Sequence, residues 1–172
     1  ASNKEDDLRK ISSNNTRVRY RTDDYPAPIR TSAYLEVDDR GAATNRGVIE
    51  RSTDADTFRF TTRGGALEVT GRPAGNSPNL ALRLDLIDAA EQVLLTANPA
   101  ATLQATLSTN LPAGEYAVKV RGASRGANAT VGFSAYASLG YYQLTGVVAG
   151  AVAPIRLAVA ENTEPGTGVG DL

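Results

Sequence analysis

From residue 47 onward the sequence repeats one pattern, a short run of alternating apolar and polar residues followed by a cluster of turn formers. Leu80, Leu82, Leu84 and Leu86 interleave with Ala81, Arg83, Asp85 and Ile87, the strongest period-two signal in the chain. Shorter runs of the same kind are Gly47 to Glu50, Thr57 to Thr61 with Phe58 and Phe60 on one face, and Ala66 to Thr70 with Leu67 and Val69 inward. Further runs are Val93 to Ala97, Leu103 to Leu107, Tyr116 to Val120, Thr130 to Tyr136, Tyr142 to Val148 and Ile155 to Val159. Arg63-Gly64-Gly65, Asp88-Ala89-Ala90-Glu91, Leu111-Pro112-Ala113-Gly114 and the loop Gly122 to Ala129 separate them. Alternation gives each strand one dry face and one wet face. Repetition at about ten-residue spacing predicts an all-β fold, an antiparallel, jelly-roll-like β-sandwich of about eight strands. Arg83, Asp85 and Lys119 fall on the wet face in this pattern.

The first 46 residues read differently. Asn3 to Ser12 is the one helix, with Asn3 as cap, Asp6 three residues on, and Leu8 and Ile11 as its apolar face. So short a helix needs something to dock on. Arg17 to Arg21 alternates and suits a strand, Asp23 to Pro28 a turn or extended linker, Ser32 to Val37 a short strand, and Asp38 to Gly41 a turn. The expected organisation is a helix and linker over 1–46, the sandwich over 47–160, and a loose tail over 161–172.

Two absences narrow the chemistry. The 172 residues contain no Cys and no His. That excludes disulfides, a Ser-His-Asp triad and a His- or Cys-ligated zinc. Carboxylates, Ser, Lys and Tyr remain. A net charge of -1 offers no basic field for nucleic acid or an anionic membrane. No apolar run approaches the ~20 residues of a membrane span. Ala1-Ser2-Asn3 carries neither the basic nor the apolar region of a signal peptide, as expected of a mature product or a fragment.

Asp54 and Asp56 are the first candidate site residues. Spaced by two ahead of a strand, their side chains leave on the same side. Two readings stand. Either they accept backbone N–H bonds in a turn, the weightier reading, or they offer hard oxygens to Ca²⁺, which takes six to eight. Asp23-Asp24 or Asp38-Asp39 could complete such a site, although adjacent acids more often mark solvated turns. A glycosidase-like carboxylate pair has no motif behind it. Tyr136, Tyr141 and Tyr142 form a candidate binding surface, with the alternative that Tyr142 is core and Tyr141 half of a cross-strand surface pair.

Gly47-Val48-Ile49 followed by Asp54-Ala55-Asp56-Thr57-Phe58-Arg59-Phe60 resembles the opening of bacterial pre-peptidase C-terminal domains. Asn79 to Asp88 resembles their long Leu-alternating strand. Leu111-Pro112-Ala113-Gly114-Glu115-Tyr116 resembles their Leu-x-Ala-Gly-Thr-Tyr strand, and Tyr136 to Gly146 their closing strand. Near the start, Asn3-Lys4-Glu5-Asp6-Asp7-Leu8 followed by Asp23-Asp24 looks like the end of a reprolysin-like zinc metallopeptidase and its linker. Tyr25-Pro26 stands where such linkers continue with His-Gly.

The resemblance implies a secreted, monomeric, non-catalytic C-terminal accessory domain. Its partner would be an upstream peptidase domain that carries the zinc, which is absent from this chain. The family's suggested roles are secretion, maturation and targeting to an extracellular protein or polysaccharide. Some collagenase relatives bind calcium in the N-terminal linker and hold collagen on a sheet face. The matching acids are Asp54 and Asp56, then Asp23 and Asp24. The competing expectation is a carbohydrate-binding module.

Overall fold

The computed structural model describes residues 7–14, 18–128, 131–133 and 135–154. A helix, α1 (Asp7–Asn14), precedes β1 (Ala33–Tyr34), β2 (Glu36–Val37), β3 (Ala42–Ile49), β4 (Ala55–Thr62), β5 (Gly65–Pro73), β6 (Leu82–Asp88) and β7 (Val93–Ala97). There follow β8 (Ala105–Leu111), β9 (Gly114–Gly122), β10 (Arg125–Asn128), β11 (Val131–Phe133), a 3₁₀ turn (Ala135–Ala137), β12 (Gly140–Val148) and β13 (Ala151–Val152). Eight of these strands have five or more residues.

Two sheets form an all-β sandwich. The first runs β1-β4-β9-β6-β7 with β13 also on β4; the second runs β2-β3-β12-β5-β8; β10 and β11 make a separate hairpin. From β3 to β6 each strand crosses to the other sheet, as in a jelly roll. Pairing is antiparallel except for β1 on β4.

The register explains the core. Phe58 lies opposite Val118, which faces Leu86 on its other side, and Val120 lies opposite Leu84. These residues share the inner face of the first sheet. Leu67, Val69, Leu107, Tyr142 and Leu144 bury against them from the second. The Leu alternation of β6 delivers Leu82, Leu84 and Leu86 to this interior, each 1% exposed or less.

Several expectations change. Residues 18–21 form no strand; within the run at Thr130 to Tyr136, Val131–Phe133 is a strand and Ala135–Ala137 a 3₁₀ turn, while Thr130 and Ser134 lie outside the described residues. The helix includes Asp7–Asn14, while Asn3 to Asp6, like Ile155 to Leu172, lies outside the described residues. The sandwich also reaches back before residue 47: β1 covers part of the edge of β4, and β2 pairs with β3. The one short strand expected over Ser32 to Val37 is thus two, β1 and β2, on different sheets; two residues are too few to show a period, so the sequence does not mark the break between them.

Asp85 is the other correction. It is fully buried. Arg83 Nε reaches its Oδ1 at 2.9 Å, Arg121 Nη2 reaches Oδ2 at 2.5 Å, and Thr96 Oγ1 donates to Oδ1 at 2.6 Å. Burial acts to raise its pKa, but the bonds from Thr96, Arg83 and Arg121 together outweigh it and hold the carboxyl below its ordinary value.

Candidate metal centre

At the end of the sandwich where β3 gives way to β4, the chain makes a tight turn. Asp54 N donates to Arg51 O at 3.1 Å, and Asp54 Oδ2 accepts the Glu50 N–H at 3.1 Å. The turn therefore uses one Asp54 oxygen to accept the backbone N–H four residues back, and sets Glu50 beside it. Two residues on, Asp56 shares the inner face with Phe58 and Phe60, because successive strand side chains alternate. This places a carboxylate inside the sandwich, fully buried.

One oxygen of Asp56 has a partner across the core. Tyr142, on β12 of the opposite sheet, donates its hydroxyl to Asp56 Oδ2 at 2.5 Å. Gly47 makes room for that bond. It lies opposite Tyr142 in the β3–β12 ladder. A Cβ at Gly47 would collide with the Tyr142 hydroxyl and come within 2.9 Å of Asp56 Oδ2.

The linker brings two more acids. Asp23 Oδ1 accepts the Tyr25 N–H at 3.0 Å. The Tyr25 ring meets Phe58 edge-on, with centroids 4.8 Å apart, and Thr57 Oγ1 donates to Ala27 O at 2.6 Å. These contacts hold residues 23–27 against β4. As a result, one oxygen each from Asp23, Glu50 and Asp54 fall within 4.8 Å of one another, and so do oxygens from Asp23, Asp24 and Asp56. The four acids expected from the sequence come together, with Glu50 as an unexpected fifth. Its signal was available: an acid at the end of a strand, four residues before Asp54. Asp38 instead accepts N–H bonds from Arg40 and Ala42 in the turn at the opposite end of β3.

The electrostatics of this cluster are the reverse of those at Asp85. Glu50 Oε1 and Oε2 and Asp56 Oδ1 are buried, with no hydrogen-bond partner among the described residues. Burial first, then the side-chain approach of the Asp54 carboxyl and the Asp54 and Asp24 charges, push Glu50 up to about 8. Burial also raises Asp56 to about 8; the Tyr142 bond opposes the rise, and Asp54, Asp24 and Glu50 add to it. Burial, with Asp56 adjacent, raises the Tyr142 hydroxyl as well, so it remains a donor. Where the domain buries Asp85 it supplies two guanidinium groups; around Glu50 and Asp56 it supplies more carboxylates. Such a site lowers its energy by binding protons or a cation. All the donors are hard oxygens, a set that suits Ca²⁺ and not zinc. A cleft of about 940 Å³ between α1, the linker and the β3–β4 turn has Asp23, Glu50 and Asp54 in its wall, together with Arg9, Arg19, Arg21 and Arg51.

The tyrosines separate. Tyr142 is 1% exposed. It therefore cannot stack on a ligand, and its place is in the core beneath the acids. Tyr141 is 58% exposed, and its hydroxyl accepts from Arg21 Nη1 at 2.8 Å. Tyr136 is half-exposed, and its hydroxyl accepts the Leu8 N–H of α1 at 2.8 Å.

No protein-family model matches the chain, and no curated protein matches it. Among solved structures, it is similar to the pre-peptidase C-terminal domain of a collagenase from Bacillus anthracis, at 13% identity and a TM-score of 0.43, over 60% of this chain and 86% of that one. It is also similar to PliG of Aeromonas hydrophila, a periplasmic inhibitor of g-type lysozyme, at 13% identity and a TM-score of 0.44, over 67% of this chain and 93% of that one. At this distance neither carries a functional conclusion, and the reading below stands on this chain's own residues.

Proposed function

We propose that this chain is a non-catalytic accessory domain of a secreted, reprolysin-like peptidase, of the pre-peptidase C-terminal type, and that Ca²⁺ at the carboxylate cluster clamps its linker to the sandwich. One observation carries the reading. Gly47 and Asp56, from the segment that resembles the family's opening, meet Tyr142, from the segment that resembles its closing strand, at one contact. The resemblance thus falls on residues that work together, and their common product is a buried, half-satisfied carboxylate facing four other acids. In this reading Asp23, Asp24, Glu50, Asp54 and Asp56 hold the ion, Tyr142 positions Asp56, and peptidase activity belongs to an upstream domain. The domain's task is to bind extracellular protein or polysaccharide, or to assist secretion and maturation.

The test pairs activity with binding. The isolated protein should hydrolyse no peptide substrate and should be retained by an extracellular polymer among collagen, gelatin, chitin and cellulose. Peptide hydrolysis by the purified chain would contradict the accessory role. A carbohydrate-binding module is the second reading, favoured by the exposure of Tyr141; it requires affinity for a soluble sugar that Tyr141→Ala removes.

A further inference from the structure

The outer face of the second sheet carries an ordered set of side chains that the core and the carboxylate cluster do not use. The β3–β12–β5 ladders place Arg46, Gln143 and Arg72 in one row across three strands. All three are exposed. Neither arginine has a hydrogen bond or ion pair among the described residues. Two positions along β12, Tyr141 stands on the same face, and Arg21 holds its hydroxyl and brings a third guanidinium alongside. The next row is Thr44, Thr145, Thr70 and Thr106, with Thr70 and Thr106 joined by a 2.8 Å hydroxyl contact. Glu36 flanks that row, and Glu68 lies in the row beyond, so the positive charge is confined to the end nearest Tyr141.

We propose that this face binds an acidic polysaccharide, with Arg46 and Arg72 pairing with successive carboxylate or sulfate groups and Tyr141 stacking on a sugar ring. Charge complementarity selects the class. The whole chain has a net charge of -1, so a polyanion is drawn only to a local array. Arg46 and Arg72 are two strands apart, about 9.5 Å across the sheet, close to the repeat of a disaccharide in an extended glycan. Planar guanidinium forks pair well with carboxylate and sulfate oxygens. Between them the row offers an amide and hydroxyls, the groups that hydrogen-bond sugar hydroxyls. β2 pairs with β3 only at Ala43 and Thr44, and β8 with β5 no further than Gly71, so the row ends at open strand edges and the poly-glutamate arm below separates a glycan from an acidic peptide. The proposal names a ligand for the binding role above. It rests on that reading only in treating the domain as a binding module, and Arg46 and Arg72, which lie on the sheet, do not depend on the cation.

The test is titration of the intact chain at low ionic strength with polygalacturonate, dextran sulfate, uncharged dextran and poly-glutamate. Each titration is run in calcium and in EDTA, with the thermal midpoint read on the same samples, so that failure of the cation site and failure of glycan binding are separate results. The expected result is binding to one or both acidic glycans, not to dextran, that weakens with salt. Arg46→Ala with Arg72→Ala should lower the affinity by roughly tenfold or more. The exposed control Arg63→Ala, in the β4–β5 turn, should leave it unchanged. Absence of binding to both acidic glycans, full affinity in the double variant at an unchanged midpoint, or equal or tighter binding of poly-glutamate would each overturn the proposal, the last by assigning the face to acidic peptides.

Discussion

Asp85 and Asp56 are both fully buried, yet their surroundings push them in opposite directions. Asp85 has two arginines and a threonine, and its pKa falls. A carboxyl depressed on folding contributes stability above its unfolded pKa and loses it as the pH falls through the folded value. Acid unfolding should therefore have a component below the ordinary carboxylate range that Asp85→Asn removes, read as a smaller loss of thermal midpoint between neutral and strongly acid pH. Asp56 has only the Tyr142 hydroxyl on one oxygen. Tyr142→Phe keeps the ring in the core and strips that bond, leaving a buried acceptor bare. The expected cost is about 1–3 kcal/mol of stability in EDTA, together with calcium affinity weakened about 10–100-fold. Gly47→Ala should reproduce the second effect from the other side, because its methyl group occupies the path of the Tyr142 hydroxyl.

Among the elements, those with a long period were legible and those without were not. β7 falls on Val93–Ala97 as the sequence suggests, and the Leu run becomes β6. Ser32 to Val37 was legible as strand, but not its division at Leu35 into β1 and β2, which join different sheets. Asp85 escaped for a different reason. Alternation tells which face a residue takes, but cross-strand arginines decide whether a polar residue on that face is buried. The site was more legible than its surroundings: Asp54 and Asp56 declare themselves by spacing, and Asp23-Asp24 by resemblance. Glu50 becomes a member only once the β3–β4 turn folds it back onto Asp54. The linker also yields a prediction. Residues 18–24 are irregular and contain Arg19 and Arg21, both exposed, while Asp23 and Asp24 tie them to the cluster. Calcium should slow tryptic cleavage after these arginines several-fold relative to EDTA, because cleavage requires local opening of a segment the ion holds. The check is the rate of appearance of the corresponding fragment, which Asp23→Asn should make insensitive to calcium.

For the molecule as a whole, the carboxylate cluster couples stability to pH and to cations. Without a cation, Glu50 and Asp56 ionise only near pH 8 in the folded state, far above their unfolded values. Groups raised in this way favour folding below the unfolded pKa and withdraw that contribution as the pH rises through the folded one. In EDTA, stability should therefore decline from about pH 5 toward pH 9, and a bound cation should remove much of the decline by taking the protons' place.

The measurement that tests this account most directly is the thermal midpoint of the intact chain in millimolar Ca²⁺ against EDTA, at about pH 9, a unit above the folded-state values, where the carboxylates are mostly ionised. An ion at a hundredfold excess over its Kd contributes about 2.7 kcal/mol, or roughly 5–11 °C for a chain of this size. The account predicts a rise of that order, abolished by Asp56→Asn and by Glu50→Gln. An unchanged midpoint in calcium, or a rise that both variants retain in full, would contradict it.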